Sequence, residues 1–538
     1  MHSSSRHFFP LLLFSLCSFA LTSPHIPDGT SRHTGEEAIR LNVVVPGSDT
    51  TSVTLSRHRI AANTDPENRA FIDGREVAVY PSGAFVGLVD VPSDRYTARL
   101  RVETPDGQSR TRELVFVRPD PDALPDAPAE RDVDADDMGV DDRFPAVAEI
   151  HSRRAFLNSG SGTDRLGGAR LGFLERGVRL EVVGQYGSFY RVRLSDNMEA
   201  YLPARFAELL PDGTPPPRSL TGSATVTGTD QFDMVTLSLG QRLPYIARMR
   251  THPHVIEVDI FGADSNTNWI THRESAKGIR SVSWDQIGTH HYRLYIHLEH
   301  DVHWGYHVGY GVGSSLRIQV QRPPVLLSAH RPLEGAVIAV DAGHGGRSRG
   351  ALGATGIQEK DIVLDISKKV RDRLGQAGAQ VFMTRDRDVD VSMTERSEML
   401  IASDAQLLVS IHANSIGSAT DPDAIYGTST YYRHDVFQPL AQLVHNRMLE
   451  LPLGDFGLIG SFNFSLNALT QMPNVLVETA FVSHPEDEIK LQDPDFQDRM
   501  AEKIVEGLAD YFRKYGQLQD LTDGLSEFTG NLSETGDW

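Results

Sequence analysis

Four side chains in the last third of the sequence have the types and placement needed for hydrolysis at a metal ion. His344 follows the apolar run "VIAVDAG", His412 follows "LLVSI", and Glu478 follows "NVLV". Glu359 opens the helix-like run "EKDIVLDISKKVRDRLGQAG". Because the carboxyl ends of parallel strands meet at one edge of a sheet, we expect these four side chains to converge although the sequence separates them widely.

The residue types favour zinc as the metal. Two imidazoles and one carboxylate are a common ligand set of catalytic zinc and leave a fourth position for water. Zinc lowers the pKa of that water to about 7, and a second carboxylate outside the metal shell can accept its proton and pass it to a leaving amine. The set therefore predicts hydrolysis of an amide. The H-E-x-x-H signature of helical zinc proteases is absent from the sequence.

Each residue taken singly also has a structural interpretation. His344 and His412 have the positions of ordinary loop and strand-end histidines. Glu359 is also a favourable acid in the first turn of a helix. Glu478 is harder to explain in this way, because a carboxylate that closes an apolar strand needs compensation if it is buried.

Longer segments around these residues resemble the zinc-dependent N-acetylmuramoyl-L-alanine amidases of the amidase-3 family. The resemblance covers residues 336–516 and is carried by "AVIAVDAGHGG", "GATGIQEKDIVLDIS", "FMTRDRDVDVSMTERSEMLIASDAQLLVSIHANS" and "MPNVLVETAFVSHPEDEIKL". It implies that His344, Glu359 and His412 bind Zn²⁺ and that Glu478 is the catalytic acid/base. Ala480 and His484 depart from the usual residues of the last motif, which we expect to alter the floor of the groove.

The pattern around the four residues predicts their scaffold. Strand-like and helix-like runs alternate over residues 336–516, which indicates an α/β domain with a mostly parallel sheet flanked by helices on both faces. The upstream sequence has short alternating runs with glycine turns, typical of β-structure. We therefore predict a multidomain chain in which three small all-β modules precede the α/β catalytic domain.

Composition sets the expected domain bounds. Acidic, proline-rich residues 119–143 are predicted to be a disordered linker, and residues 517–538 a disordered acidic tail. The three β segments on either side of this linker resemble an immunoglobulin-like sandwich (31–118), a bacterial Src-homology-3-like barrel (144–211) and an AMIN-like domain (219–325). For the barrel, peptide binding and a spacer role remain alternatives.

The amino-terminal residues predict export. Residues 1–20 have the basic start, short apolar run and small residues of a signal peptide, and the single cysteine, Cys17, lies inside them. No other apolar run is long enough for a stable membrane span. The net charge of −20 argues against nucleic acid as a partner. The expected location is the periplasm or the cell wall surface.

Together these observations predict a peptidoglycan hydrolase that cleaves the amide between N-acetylmuramic acid and L-alanine of the stem peptide. Peptidoglycan is the expected partner, with envelope or division proteins as candidate partners of the β modules. Two alternatives remain open at this point. One is a non-catalytic envelope-binding scaffold, and the other is a zinc peptidase that acts within stem peptides.

Overall fold

The upstream part of the chain is all β in the computed structural model, which describes residues 39–118, 143–162 and 168–518. The predicted signal peptide with Cys17 lies outside these residues, as do residues 119–142 of the predicted linker and 519–538 of the predicted tail. The first eight strands are β1 (Asn42–Val45), β2 (Thr50–Ser52), β3 (Arg57–Asn63), β4 (Arg69–Ile72), β5 (Arg75–Val77), β6 (Ala84–Asp90), β7 (Arg95–Glu103) and β8 (Ser109–Val117). They form two sheets, β1-β3-β6 and β2-β8-β7-β4-β5.

The next segment is a single antiparallel sheet. Its strands are β9 (Ala146–Ile150), β10 (Ala155–Asn158), β11 (Arg170–Leu174), β12 (Arg179–Tyr186), β13 (Phe189–Ser195), β14 (Met198–Pro203) and β15 (Ala207–Leu209). The sheet order is β11-β10-β14-β13-β12-β9-β15. The prediction of short β-runs between glycine turns is confirmed here, whereas the likeness to a named module stays a prediction.

A third β segment contains two further sheets. Its strands are β16 (Ser219–Gly228), β17 (Phe232–Leu239), β18 (Tyr245–Thr251), β19 (His254–Phe261), β20 (Ala263–Asp264), β21 (Ile270–His272), β22 (Ile279–Gly288), β23 (His291–Leu298), β24 (Tyr306–Tyr310) and β25 (Leu316–Gln321). The orders are β20-β16-β17-β25-β24, with β21 beside β16, and β18-β19-β23-β22. Buried side chains of this segment and of the preceding sheet form one continuous core. The two segments therefore pack against each other and share one hydrophobic core.

The last domain has the alternating pattern that the sequence predicts. Its elements are β27 (Val337–Ala342), α1 (Glu359–Gln376), β28 (Gln380–Met383), α2 (Met393–Ala402), β29 (Leu407–Asn414), β30 (Thr428–Tyr431), α3 (Gln438–Met448), β31 (Asp455–Ile459), β32 (Asn474–Phe481), α4 (Pro485–Gln492) and α5 (Pro494–Tyr515). Two short strands, β26 (Val325–Leu326) and β33 (Gln517–Leu518), pair outside the main sheet.

The main sheet has the order β28-β27-β29-β32-β30-β31. Its first four strands are parallel, whereas β30 runs antiparallel to β32 and β31 runs parallel to β30. Helices α1, α3 and α5 cover one face, and α2 with residues 466–472 covers the other. The alternation of Ile338 and Val340 with Ala339 between the two cores shows why the strands are apolar throughout.

The sequence pattern does not mark two elements of this domain, β31 and α4. The five-residue strand β31 has exposed residues at its first two positions and Gly457, with a φ of 131°, at its third, so its sequence lacks the buried apolar run that marks a strand. Helix α4 is only eight residues long and begins after the cap residue His484 with Pro485 in its first turn. None of the described helices is long and apolar enough to cross a membrane.

A buried ion pair joins the central strands to α2. Asp341 and Arg396 are each 1% exposed and lie 2.5 Å apart. The Asp341 carboxylate also accepts hydrogen bonds from the hydroxyls of Thr384, at 2.6 Å, and Ser410, at 2.7 Å. Burial alone would raise the pKa of Asp341, but the Arg396 charge and the two hydroxyls hold that pKa below its usual value. This cluster ties β27 to β29 and to the residue that follows β28.

Removal of one member of this pair is predicted to destabilise the α/β domain. Arg396→Met leaves the Asp341 charge buried without its cation, so we expect a loss of about 3–5 kcal/mol in the free energy of unfolding. Amide hydrogen exchange in β27 under native conditions measures this loss for the one domain. Arg513→Met, which removes an exposed partner of Asp510, is the matched control with an expected loss below about 1 kcal/mol. An equal, small loss in both variants would contradict the role given to the buried pair.

Candidate active site

The turn that carries His344 is held by two arginines. His344 lies two residues beyond β27 and has a φ of 59°, a left-handed conformation that is uncommon for a residue with a Cβ. Arg385 donates from Nε to the carbonyl of Ala342, at 2.9 Å, and from Nη2 to that of Gly343, at 2.6 Å. Arg396 donates to the carbonyls of Ala342 and of His344 itself. These hydrogen bonds stabilise the unusual turn and fix the direction of the imidazole.

Close packing explains two glycines around the histidines. A Cβ on Gly343 would overlap the ring of His412, and a Cβ on Gly350 would collide with the Glu359 carboxylate. Gly350 also has a φ of 69°, which favours glycine. Gly343 and Gly350 are therefore required by the close approach of the site side chains to the backbone.

Three of the four predicted residues meet at one point. The Nε2 of His344 lies 3.1 Å from Oε2 of Glu359, and the Nδ1 of His412 lies 3.1 Å from Oε1 of the same carboxylate. The two imidazole rings are nearly perpendicular, with their centroids 5.1 Å apart. One nitrogen or oxygen of each residue lies within 4.8 Å of the others. Among the described residues this is the one cluster with the spacing of a metal site.

The Glu359 carboxylate is anchored from several directions. It is the first residue of α1, as predicted, and its Oε2 accepts a hydrogen bond from the amide of Ala351 at 2.9 Å while Oε1 accepts one from Ala413 at 3.2 Å. Burial acts to raise the pKa of Glu359, but the hydrogen bonds and charges of the two histidines outweigh it and hold the pKa well below its usual range. Glu359 is therefore an anionic donor at the helix N-terminus.

The same contact acts on His412. Burial favours the neutral imidazole, but the hydrogen bond to Glu359 and the charges of Glu359 and Glu478 outweigh it and raise the pKa of His412 to about 9. Two carboxylates thus make this position strongly favourable for positive charge, whether a proton or a cation supplies it. This electrostatic setting suits a bound metal cation.

Glu478 lies next to this cluster. It is the direct neighbour of His412 across the parallel pairing of β29 and β32, so both side chains leave the same face of the sheet. The Glu478 side chain is largely buried, at 8% exposure, and is not part of the three-residue cluster. The sequence interpretation placed His412 and Glu478 at strand ends. The strands end two and three residues further on, at Asn414 and Phe481 as the runs QLLVSIHAN and NVLVETAF predict, and a register shift follows His412.

The donor set fits a tetrahedral metal. Tetrahedral bonds of about 2.0–2.2 Å put ligand atoms roughly 3.3–3.6 Å apart. A nitrogen of each histidine lies 3.1 Å from one of the two oxygens of Glu359, and one donor atom of each residue lies within 4.8 Å of the others. His344 is further oriented by the hydroxyl of Ser348, which lies 3.1 Å from its Nδ1. Hydrogen bonds of this kind commonly orient metal-binding histidines. The site opens into a cleft of about 820 Å³ that also contains Arg347, Asp390 and Phe464.

Sequence reasoning missed the residues that support the site. Ser348, Arg385 and Arg396 all lie in or beside the motif segments, but their roles depend on contacts with residues far along the chain. The two motif departures do not line the cleft. Ala480 is buried and His484 caps α4 through its Nδ1, and the expected effect of these two residues on the groove floor stays a prediction.

Known proteins share this domain. The Amidase_3 family, described as N-acetylmuramoyl-L-alanine amidase, matches residues 338–510. YqiI of Bacillus subtilis is 36% identical over 190 residues, which are 34% of this chain and 88% of that protein. The germination-specific N-acetylmuramoyl-L-alanine amidase of the same organism is 32% identical over 203 residues, 34% of this chain and 83% of that protein.

Among solved structures, the amidase AmiC2 of Nostoc punctiforme is 35% identical, covers 34% of this chain and 99% of its own, and has a TM-score of 0.31. The motifs, the similarity over most of the length of two relatives and the match to the family thus agree on the same third of the chain. Through this domain, the chain belongs to the N-acetylmuramoyl-L-alanine amidase family.

Proposed function

We propose that this peptidoglycan amidase is zinc-dependent and cleaves the amide between N-acetylmuramic acid and L-alanine with four residues in defined roles. His344, Glu359 and His412 would hold the metal, and Glu478 would be the general acid/base. The observation that carries the proposal is the approach of one donor atom from each of the first three residues to within 4.8 Å of the others, with Glu478 beside them.

The proposed roles of the metal and of Glu478 follow from where the ligands and Glu478 lie. Zinc at this position would supply a Lewis acid for the scissile carbonyl and would increase the acidity of the attacking water. Glu478 would accept the proton of that water and then donate it to the nitrogen of the leaving L-alanine. Glu478 is a largely buried carboxylate beside the ligands. It is suited to proton transfer, because solvent screens its charge poorly. Arg385 and Arg396 would position His344 through their hydrogen bonds to backbone carbonyls of its turn.

We further propose that residues 1–20 direct export and that the protein acts in the periplasm or at the cell wall surface during cell separation. The upstream segments would be immunoglobulin-like, Src-homology-3-like and AMIN-like modules that hold the enzyme at the envelope. Their all-β architecture and their position before the catalytic domain support this proposal.

Mass spectrometry of digested peptidoglycan tests the proposed bond directly. We expect free stem peptides that begin with L-alanine, together with glycan whose muramic acid has lost its peptide, and we expect both products to disappear after chelation and return with zinc. Truncated peptides on glycan that keeps its L-alanine would instead indicate a peptidase. Unchanged peptidoglycan, with zinc bound, would indicate an envelope scaffold.

Metal content is predicted to depend on the three clustered residues. Wild-type protein purified with zinc is expected to contain about one equivalent, because three protein donors with a fourth position left for water form a typical catalytic zinc site. His344→Ala and His412→Ala each remove one of three donors and should lose most of the metal, as measured by elemental mass spectrometry. His272→Ala, which changes an exposed histidine on β21, is the control and should keep it. Full zinc content in both site variants would rule out the ligand assignment.

Glu478→Gln is predicted to separate metal binding from catalysis. The amide is nearly the same size but cannot accept the water proton, so kcat should fall by about 10²-fold or more while zinc content stays near one equivalent. Release of stem peptide from a soluble muropeptide measures the rate. Glu450→Gln, at an exposed ion pair of the same domain, should retain wild-type activity. A Glu478→Gln enzyme with full rate would show that another group moves the proton.

A further inference from the structure

A second cleft lies where the upstream β segments meet the catalytic domain. It has a volume of about 420 Å³ and is bounded by the sheet of residues 146–209, by strands β18 and β24, and by α2 with the residues after β30. Direct contacts fix this junction. The amide of Tyr306 donates to the carbonyl of Thr470 at 2.7 Å, and Arg433 donates to the carbonyl of Arg170 at 3.0 Å. The cleft is therefore a built feature shared by three parts of the chain.

The walls of this cleft carry an excess of positive charge in a protein whose net charge is −20. Four guanidiniums and two carboxylates line it: Arg153, Arg154, Arg170, Arg433, Glu175 and Glu398. Glu175 is already engaged, because it accepts a hydrogen bond from the amide of Tyr310 at 2.9 Å. In the described part of the chain, no ion pair joins Arg154, Arg170 or Arg433 to a carboxylate. Positive charge is thus in excess here, and the charges of Glu398 and Asp435 offset only part of it at Arg154 and Arg433.

Aromatic rings hold two of these arginines. The guanidinium of Arg154 lies 3.4 Å from the ring centroid of Phe173, and that of Arg170 lies 4.4 Å from the centroid of Phe156. Stacking occupies the faces of a guanidinium and leaves its edge N–H groups available for an anion. The Nε of Arg170 is buried and makes no hydrogen bond. A buried N–H group without an acceptor reduces the stability of the fold unless a ligand accepts a hydrogen bond from it.

The electrostatics of the cluster agree with this geometry. Burial, followed by the charge of Arg170, lowers the pKa of Arg154 to about 10. The pKa of Arg170 is lowered by burial and by Arg433. Like charges are therefore held close together in a poorly solvated place, and a bound anion would relieve this repulsion.

Arg170 also lines the cleft that contains His344 and His412, so the two clefts share a wall. A ligand that extended from the cleft of His344 and His412 towards the arginine-lined cleft would pass Arg170. A stem peptide is attached to the glycan through its amino end, so the part that points away from the scissile amide ends in a carboxylate. Arginines recognise carboxylates through paired N–H groups.

We propose that the cleft bounded by Arg154, Arg170 and Arg433 binds carboxylate groups of the stem peptide and selects substrates by that charge. This proposal rests on the proposed function, because it assumes that a stem peptide lies at the metal centre. It assigns a substrate-recognition role to a β segment outside the family domain.

The test compares two N-acetylmuramoyl tripeptides that differ only in carrying free carboxylates or carboxamides. We expect wild-type kcat/KM to favour the carboxylate form by roughly tenfold or more, as for hydrogen bonds to a charged group. In the variants Arg170→Gln and Arg433→Gln, the ratio of kcat/KM for the carboxylate form to that for the carboxamide form should fall towards one. Arg179→Gln, at an exposed ion pair of the same β-sheet as Arg170, is the matched control and should keep the wild-type ratio. A wild-type ratio near one, or an unchanged ratio in both cleft variants, would overturn the proposal.

Equilibrium binding separates this proposal from the proposed function. Calorimetry with the free tripeptide acid and its carboxamide requires no turnover, and the acid should bind wild-type protein roughly tenfold or more tightly than the amide. The two cleft variants should lose that difference. If zinc-loaded protein cleaves neither muropeptide but still prefers the acid, the function fails while the cleft assignment stands. Tighter binding of a poly(glycerol phosphate) than of the peptide acid would reassign the cleft to a phosphate-bearing polymer and contradict the proposal.

Discussion

The register of the three parallel strands β27, β29 and β32 determines whether the site residues come together. Asp341 and Ser410 are neighbours across the pairing of β27 and β29, and their side chains are hydrogen-bonded. The same register of β29, carried on to β32, sets His412 beside Glu478. A slip of one residue would move either side chain to the opposite face of the sheet. Because Asp341 also holds Arg396, the pairing and the His344 turn are stabilised together.

This arrangement explains how the protein keeps charged groups inside an apolar sheet. Arg396 neutralises Asp341 and, with Arg385, uses its remaining N–H groups to hold the carbonyls of the turn before His344. Glu359 is held by two backbone amides and faces both imidazoles. The polar groups around His344, Glu359 and His412 thus position one another, and several hydrogen bonds hold the His344 turn at once.

The convergence of His344, Glu359 and His412 could be predicted because parallel strands impose a common edge and because the motifs are distinctive. The pairing of Asp341 with Arg396 could not, since a charged side chain in a sequence carries no sign of burial or of its distant partner. The exposed strand β31 was missed for lack of apolar alternation. The continuous core of the upstream segments also escaped prediction, because periodicity shows which face of a strand is buried and not what covers it. The assignment of those segments to immunoglobulin-like, Src-homology-3-like and AMIN-like modules remains a prediction.

The central claim is that one zinc ion is held by His344, Glu359 and His412 while Glu478 stays outside its shell. Anomalous diffraction at the zinc edge, from crystals of zinc-loaded protein, tests it most directly. The account predicts one strong peak at about 2.0–2.2 Å from a nitrogen of each histidine and an oxygen of Glu359, with Glu478 beyond bonding distance. A peak bonded to Glu478 in place of one of the three, or located elsewhere in the chain, would contradict it.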